Sequence, residues 1–334
     1  MPHYRFIQLD VFTQQALAGN PLAVFPEAEG ITDEEMQKIA REMNLSETVF
    51  VLKPDDVPRQ GDAEHKSESD KKAATDQQYS VLRRLRIFTP TREIPFAGHP
   101  VVGTWNALAR EGVVPLPATG TGWTRILHEL GIGVLPVDIE FKEGQPVQVV
   151  MTQGKPTLTT VIEDSHEQAD IARALGLARE DLDESLPIQV ISTGLPFLAV
   201  PIRALADLRN CRVDAALLTE IYTNLETTGC CPFTRETIEV ATARAHLRMF
   251  APDDNIPEDP ATGSAAGALG AYLVHYGAAS VEPVDSTYRF LVEQGDFINR
   301  PSRINLEVEG SPGAVEKVRV GGPSMVVMRG ELAI

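Results

Sequence analysis

Cysteine is scarce in this chain, with three among 334 residues, at positions 211, 230 and 231. Three are too few for a disulfide framework, and adjacent ones such as Cys230 and Cys231 seldom bridge each other, so a reducing, cytoplasmic setting is expected. No apolar run approaches the length that spans a bilayer, and the opening MPHYRFIQLDVF alternates like a strand rather than a signal peptide. Positive charge is short: 30 Lys and Arg stand against 47 Asp and Glu, a formal net charge of −17. That balance argues against nucleic acid or an anionic membrane surface as a partner. It also means that an anionic small molecule needs locally placed donors, because the overall field repels it. No G-x-G-x-x-G follows a strand, no Walker-type G-x-x-x-x-G-K-S/T appears, and G-x-S-x-G is missing. No His, Cys and Asp cluster has metal-ligand spacing, so no metal is expected.

What is present is organised around Arg248 to Gly277, reading RMFAPDDNIPEDPATGSAAGALGAYLVHYG. A short extended run meets a turn rich in Pro and Asp, and a helix of small and apolar residues follows from Ser264 to Tyr276, closed by Gly277. Such a helix has no polar face and should be buried against another backbone. Thr262, Gly263 and Ser264 sit where it begins, so unpaired backbone N–H groups there can hold an anion such as a substrate carboxylate. Asp259 lies just upstream, and a turn or capping role competes with a chemical one for it.

The pattern occurs once before. Shifted by 162, Leu85, Arg86, Phe88, Pro90, Ile94 and Pro95 fall on Leu247, Arg248, Phe250, Pro252, Ile256 and Pro257, and six identities in eleven positions mark an internal repeat. The first copy runs on through Ala97, Gly98, His99 and Pro100 into a second apolar helix, with Pro100 suited to its first position and Gly112 to its far end. A fainter echo relates Gly19-Asn20-Pro21 to Gly194-Leu195-Pro196 and the apolar runs after them. The repeated Arg86 and Arg248 lead into the two turns, where a structural ion-pair role is favoured over catalysis.

Taken in order, residues 3–12 and 21–26 read as strands. Thr32 and Glu35 form a capping box for a helix with Met36, Ile39, Ala40 and Met43 on one face, and Asn44 is a left-handed stop. Ser46 and Glu47 occupy the junction with the next strand. Residues 54–79 carry almost no large apolar side chains and read as an exposed, mobile insertion. Strand-like character returns at Val81–Phe88. Further strands are expected at 147–151, 157–162, 187–202, 238–249, 289–292, 303–308, 315–320 and 324–334. Ser165 is placed as the cap of a helix ending at Gly176, and residues 214–225 form another. Cys230-Cys231 reads as packing or loop. Strands outnumber helices and each half has one central helix, which favours an α+β fold over a doubly wound parallel sheet.

NLSETVFV (44–51), RIFTPTREIPFAGHPVVGT (86–104), STGLPFLAV (192–200), EDPATGSAAGAL (258–269) and NRPS (299–302) resemble the phenazine-biosynthesis PhzF-like isomerase family over nearly the whole chain. The resemblance implies the diaminopimelate epimerase fold, with two similar domains, each a mostly antiparallel sheet wrapped around a buried helix. The first is expected over 1–134 plus 322–334, with the final strand returning to it, and the second over 135–321. The active site is expected between them. Homodimers and no cofactor are implied as well. By the same resemblance Glu47 is the acid/base that moves a proton on the substrate. His99, Asp259 and Ser264 match other active-site positions, Gly98 and Gly263 give close backbone approach, and Ser46 and Thr262 join them in holding substrate.

Each of these residues also has an ordinary structural explanation. Glu47 alone reads as a solvated strand end, but a proton shuttle placed there needs a pKa raised towards working pH by partial burial. His99 reads as a helix-start residue or as a hydrogen-bond donor to substrate. Epimerases of this fold use a cysteine from each half, whereas the two turns here carry Gly98-His99 and Asp259. The leading expectation is therefore a cofactor-independent isomerase that shifts a proton on a small, carboxylate-bearing, cyclic substrate. Two alternatives stand beside it: a catalytically silent paralogue that binds a metabolite or protein, and an amino-acid epimerase.

Overall fold

The computed structural model describes residues 1–55, 81–252 and 256–334. The insertion expected over 54–79 lies, from residue 56 on, outside the described residues. The chain forms two units, one of Met1–Ala16, Pro21–Met151 and Pro323–Ile334, the other of Leu17–Asn20 and Thr152–Gly322.

The first unit holds β1 (His3–Val11), β2 (Asn20–Phe25), α1 (Asp33–Met43), β3 (Glu47–Leu52), β4 (Val81–Phe88), β5 (Glu93–Ile94), α2 (Gly98–Arg110), β6 (Gly122–Leu130), β7 (Gly133–Lys142) and β8 (Gln145–Thr152). The last strand of the chain, Ser324–Ala333, returns to pair antiparallel with β1. β2 runs parallel to β3, and β4 to β6, while β3–β4, β6–β7 and β7–β8 are antiparallel. The division between units falls after Met151 rather than after 134, because β6, β7 and β8 are one continuous antiparallel run that cannot be cut without breaking a ladder. The pairs β6 and β7 were not marked by the sequence pattern.

Helix α2 is buried from Gly98 through Ala109. Gly103 explains how it comes so close to the sheet: a Cβ there would lie 2.6 Å from Leu22 and 2.7 Å from Val11. The helix starts at Gly98, two residues ahead of the sequence expectation, so Pro100 is its third residue. Proline is tolerated there because first-turn N–H groups have no intrahelical acceptor to lose. At the far end Gly112 takes φ +77°, the left-handed stop that was expected. On the other side of the sheet α1 packs Met36, Ile39 and Ala40 against Phe25, Phe50 and Phe88. Phe25 and Phe50 stack at 5.1 Å and Phe50 meets Phe88 edge-on at 5.4 Å, pairings worth about 0.5–1.5 kcal/mol each beyond their buried area. Thr32 and Glu35 form the capping box, and Asn44 closes α1 at φ 50°.

The second unit repeats the plan. It contains β9 (Thr157–Val161), α3 (Ser165–Ala174), β10 (Gln189–Ser192), β11 (Pro196–Pro201), α4 (Leu205–Asn210), α5 (Ala215–Asn224), β12 (Cys230–Thr234), β13 (Ala243–Leu247), β14 (Met249–Ala251), β15 (Ile256–Asp259), α6 (Gly263–His275), β16 (Thr287–Gln294), β17 (Ser302–Ser311) and β18 (Ala314–Gly322). β11 runs parallel to β12 and β13 to β16; β16, β17 and β18 form an antiparallel meander. Helix α6 is buried along almost its whole length, and Gly270 lets it close on β17, since a Cβ there would meet Leu306 at 2.6 Å. Helices α3, α4 and α5 cover the other face through Ile171, Leu208, Leu218 and Tyr222, packed on Leu198, Val200 and Phe250.

Two local expectations change. Asp164, not Ser165, caps α3, its carboxylate accepting from His166 and Glu167 N–H. Strand structure in 238–249 begins only at Ala243. Cys230 and Cys231, expected as packing or loop, are packing: both are fully buried strand residues. Among the described residues no helix is long and apolar enough to cross a membrane.

Candidate active site

The first unit assembles Glu47 and His99. Asn44 turns the chain out of α1, and β3 starts at Glu47, fixed in register opposite Leu22 of β2. His99 is the second residue of α2, where Ala97 enters in an extended conformation. His99 Nε2 lies 3.4 Å from Glu47 Oε2, with side-chain exposures of 6% and 13%. Burial pushes the imidazole down to about 3, so it is neutral at pH 7. A charged pair would close to about 2.7–2.9 Å; this contact is a looser approach of a carboxyl group to an uncharged ring. Ser46 precedes the carboxylate and Gly98 precedes the ring, so the structure brings four of the sequence-predicted residues together here.

The second unit assembles Asp259 with the start of α6. Asp259 ends β15 opposite Met249 and is 5% exposed. Asn20 Nδ2 donates to its Oδ1 at 2.9 Å and to the Ala261 carbonyl at 2.9 Å. The Thr262 hydroxyl donates to its Oδ2 at 2.5 Å. Burial raises the carboxyl to about 6 in spite of these two donors, which pull it down. Thr262 is the N-cap of α6 by position, but with its hydroxyl on Asp259 it makes no side-chain cap. Its N–H is also engaged, donating to Gln294 Oε1 at 2.9 Å. This leaves the amides of Gly263 and Ser264, rather than that of Thr262, for an anion at this helix end.

Sequence reasoning missed Asn20, Gln294, Gln153 and Thr193. Gln153 donates from Nε2 to the Gly263 carbonyl at 2.9 Å and accepts from Thr193 at 2.6 Å, bracing the first turn of α6. Gly267 makes room for it, since a Cβ there would meet Gln153 Oε1 at 1.9 Å. Asn20 and Thr193 fall inside stretches the sequence singles out, Gly19-Asn20-Pro21 and STGLPFLAV. Gln294 carries no local signal, because its partners come 32 and 35 residues earlier.

The repeat extends to the site. Arg86 forks onto Glu93 at 2.8 and 2.6 Å and Arg248 onto Glu258 at 2.9 and 2.6 Å. Each guanidinium lies over the repeated phenylalanine, Arg86 5.2 Å from Phe88 and Arg248 4.9 Å from Phe250. Both arginines therefore brace the hairpin that delivers a buried helix. Two registers then place Glu47 in the repeat. Thr48 pairs with Phe88 and Cys230 with Phe250; Ala23 pairs with Thr48 and Leu198 with Cys230. Both match Thr48 to Cys230, so the counterpart of Glu47 is Gly229. A Cβ on Gly229 would lie 2.8 Å from the Phe250 carbonyl oxygen, so no side chain fits there without moving backbone. Cys230 and Cys231 do not substitute, as burial raises both thiols far above their ordinary value and keeps them protonated. Among the described residues no group of three or more His, Cys, Asp or Glu could hold a metal ion.

Comparison with known proteins agrees with this plan. The model of the PhzC-PhzF family, described as phenazine biosynthesis-like protein, matches residues 9–330. An uncharacterized isomerase of Clostridium acetobutylicum is 34% identical over 99% of this chain and 98% of its own. The trans-2,3-dihydro-3-hydroxyanthranilate isomerase of Pseudomonas aeruginosa is 33% identical over 96% of this chain and 95% of its own. The crystal structure of a Bacillus anthracis phenazine biosynthesis protein of the PhzF family superposes with a TM-score of 0.82 at 28% identity, covering 100% of both chains. The fold is the diaminopimelate epimerase-like α+β arrangement of two similar domains.

Proposed function

This chain belongs to the phenazine biosynthesis-like PhzC-PhzF family of isomerases, and from that premise we propose that it shifts a proton between carbons of a small, carboxylate-bearing, cyclic substrate without a cofactor. Glu47 is the group that removes the proton and returns it. The observation that carries this reading is the Glu47–His99 approach: a carboxyl group 13% exposed, facing an imidazole held neutral by burial. A neutral ring can donate or accept a hydrogen bond without placing a fixed positive charge beside the carboxylate. A base with a permanent cationic partner would bind the proton too weakly to take it from carbon efficiently.

Asp259 is proposed as the second titrating group of turnover. Ser46 and Gly98, and on α6 Gly263 and Ser264, are proposed to hold substrate, the helix amides receiving its carboxylate. Gly229 at the repeat counterpart of Glu47 gives the second unit no carboxyl at the equivalent position, which supports a proton shift along one face rather than inversion between two equivalent bases. The P. aeruginosa relative is named for trans-2,3-dihydro-3-hydroxyanthranilate, so dihydro-hydroxyanthranilates are the first substrates to test. A homodimer is part of the proposal and is checked by sedimentation.

The decisive experiment is turnover in heavy water. Wild-type protein should incorporate deuterium at a ring carbon, and Glu47→Gln should reduce this by about a hundred-fold or more, the range general acid–base groups supply. Undiminished exchange in a folded Glu47→Gln variant removes Glu47 from the mechanism. Wild-type protein that binds the ring acids but exchanges no proton supports a silent binding protein instead.

A further inference from the structure

The cluster around Asp259 has a direction built into it. Thr262 has one hydroxyl proton, and two neighbours decide where it goes. Gln294 Nε2 lies 3.0 Å from Thr262 Oγ1 and has only protons to offer, so the hydroxyl oxygen accepts on that side. Asp259 Oδ2 lies 2.5 Å away on the other and, when ionised, can only accept. The Gln294 amide is itself held one way round. Its Oε1 accepts the Thr262 N–H at 2.9 Å and its Nε2 donates to the Asp259 carbonyl at 2.8 Å. Turning the amide over would set oxygen against oxygen and N–H against N–H.

We infer that Gln294 is a positioning residue for Asp259: by donating to the Thr262 hydroxyl it commits that hydroxyl's proton to Asp259 Oδ2, and with Asn20 on Oδ1 it holds the carboxylate ionised and fixed in orientation. Its part in turnover rests on the role proposed above for Asp259. The relay itself is measurable without turnover. All four residues are more than nine-tenths buried, Asn20 and Gln294 completely, so bulk water does not replace a donor that is removed.

Among the described residues, the following charged and titratable groups near Asp259 are engaged. Glu258, its neighbour on β15, is forked by Arg248 of the adjoining β14. Cys231 of β12 is kept protonated by burial. Glu293, beside Gln294 on β16, faces His246 at 2.9 Å and accepts the Ile238 and Glu239 amides. Arg300 donates to the Gly19 carbonyl. Of these, Glu258 opposes ionisation of Asp259, and the Thr262 and Asn20 donors favour it.

The test follows the Asp259 carboxyl by carbon-13 NMR across pH in the full chain, with the acid limb of proton exchange on a dihydro-hydroxyanthranilate recorded in parallel. Thr262→Val, the same shape without the hydroxyl, should move the Asp259 midpoint up by about one pH unit, the size of one lost hydrogen bond to a buried charge. Thr262→Ser should restore it. Gln294→Met should also raise it, by less, because the hydroxyl survives but is free to turn away; it carries the same prediction if Thr262→Val does not fold. The acid limb of exchange should move with the midpoint. Variants that lose melting temperature while the midpoint stays where it was have lost only packing, and the relay is overturned. Shifted midpoints in a protein that exchanges no proton overturn the proposed function and leave the relay standing.

Discussion

His99 Nε2 and Glu47 Oε2 approach to 3.4 Å while burial keeps the imidazole uncharged at neutral pH. The contact is thus an interaction of a carboxyl group with a neutral ring, and its chemistry turns on hydrogen bonding rather than on opposite charge. His99→Gln, neutral and able to hydrogen-bond, should keep a measurable part of the exchange activity, whereas His99→Phe should lose about ten- to a hundred-fold more. Nitrogen-15 NMR of the wild-type ring should show the neutral form throughout pH 8 to 5. An imidazolium signal at pH 6 contradicts the assignment.

The buried histidines also set the acid side of the stability curve. His99 and His128 are both held at about 3, while in the unfolded chain each returns to its ordinary value of 6.5. Between those limits the unfolded state binds more protons, so stability is complete above about pH 6.5 and falls as pH drops towards 3. At pH 5 each contributes a loss of about 2 kcal/mol relative to pH 7. His128 accepts from Trp105 Nε1 at 3.0 Å, a bond that a glutamine oxygen can take over. His128→Gln should therefore flatten the fall in urea midpoint between pH 7 and 5, and an unchanged slope would count against a neutral buried ring.

Asp259 contributes with the opposite sign. Its folded value of about 6 lies above the 3.8 of the unfolded chain, so the folded state holds the extra proton between the two. The stabilisation is present below pH 3.8 and is lost as pH rises through 6. The stability difference between Asp259→Asn and wild type should accordingly shift in favour of the variant from pH 4 to pH 8, by about 2–3 kcal/mol. A difference independent of pH shows that the carboxyl titrates as it does in the unfolded chain.

Gly103 allows a sharper test of packing. An alanine there gains about 1 kcal/mol of helix propensity, but its Cβ would sit 2.6 Å from Leu22 and 2.7 Å from Val11. Overpacking of this kind costs about 1–3 kcal/mol, so the net effect of Gly103→Ala should be a lower melting temperature. Combined with Leu22→Ala, the loss should be smaller than the sum of the two single losses, and simple additivity would mean that they do not share the contact.

Much of this was readable in the chain before any coordinates. The capping box at Thr32 and Glu35, the left-handed Asn44 and the buried helix before Gly277 are local patterns, and local patterns survive folding. The arginine repeat was legible because six residues recur at a spacing of 162. Glu47 and His99 were named through family motifs, and the strand start and helix start that carry them were visible as well. Gln294 was not, since a glutamine at a strand end looks the same whether it faces water or clamps a turn 32 residues upstream. Nor was the engagement of the Thr262 amide, because propensity locates a helix terminus without saying which side chain has already reached its N–H groups. The start of α2 was placed two residues late, at Pro100, because the first turn accepts proline at several positions.

Gly229 gives the duplication an arrow of time. Two lobes descended from one sequence begin as equals, and a single codon change could in principle hand the second lobe its own acid. Here the Phe250 carbonyl crowds the space that residue's first carbon would need, so the change also requires the backbone to shift. An acid at that position in the second lobe therefore comes only with a compensating movement of the neighbouring strand, and the asymmetry between the lobes tends to persist.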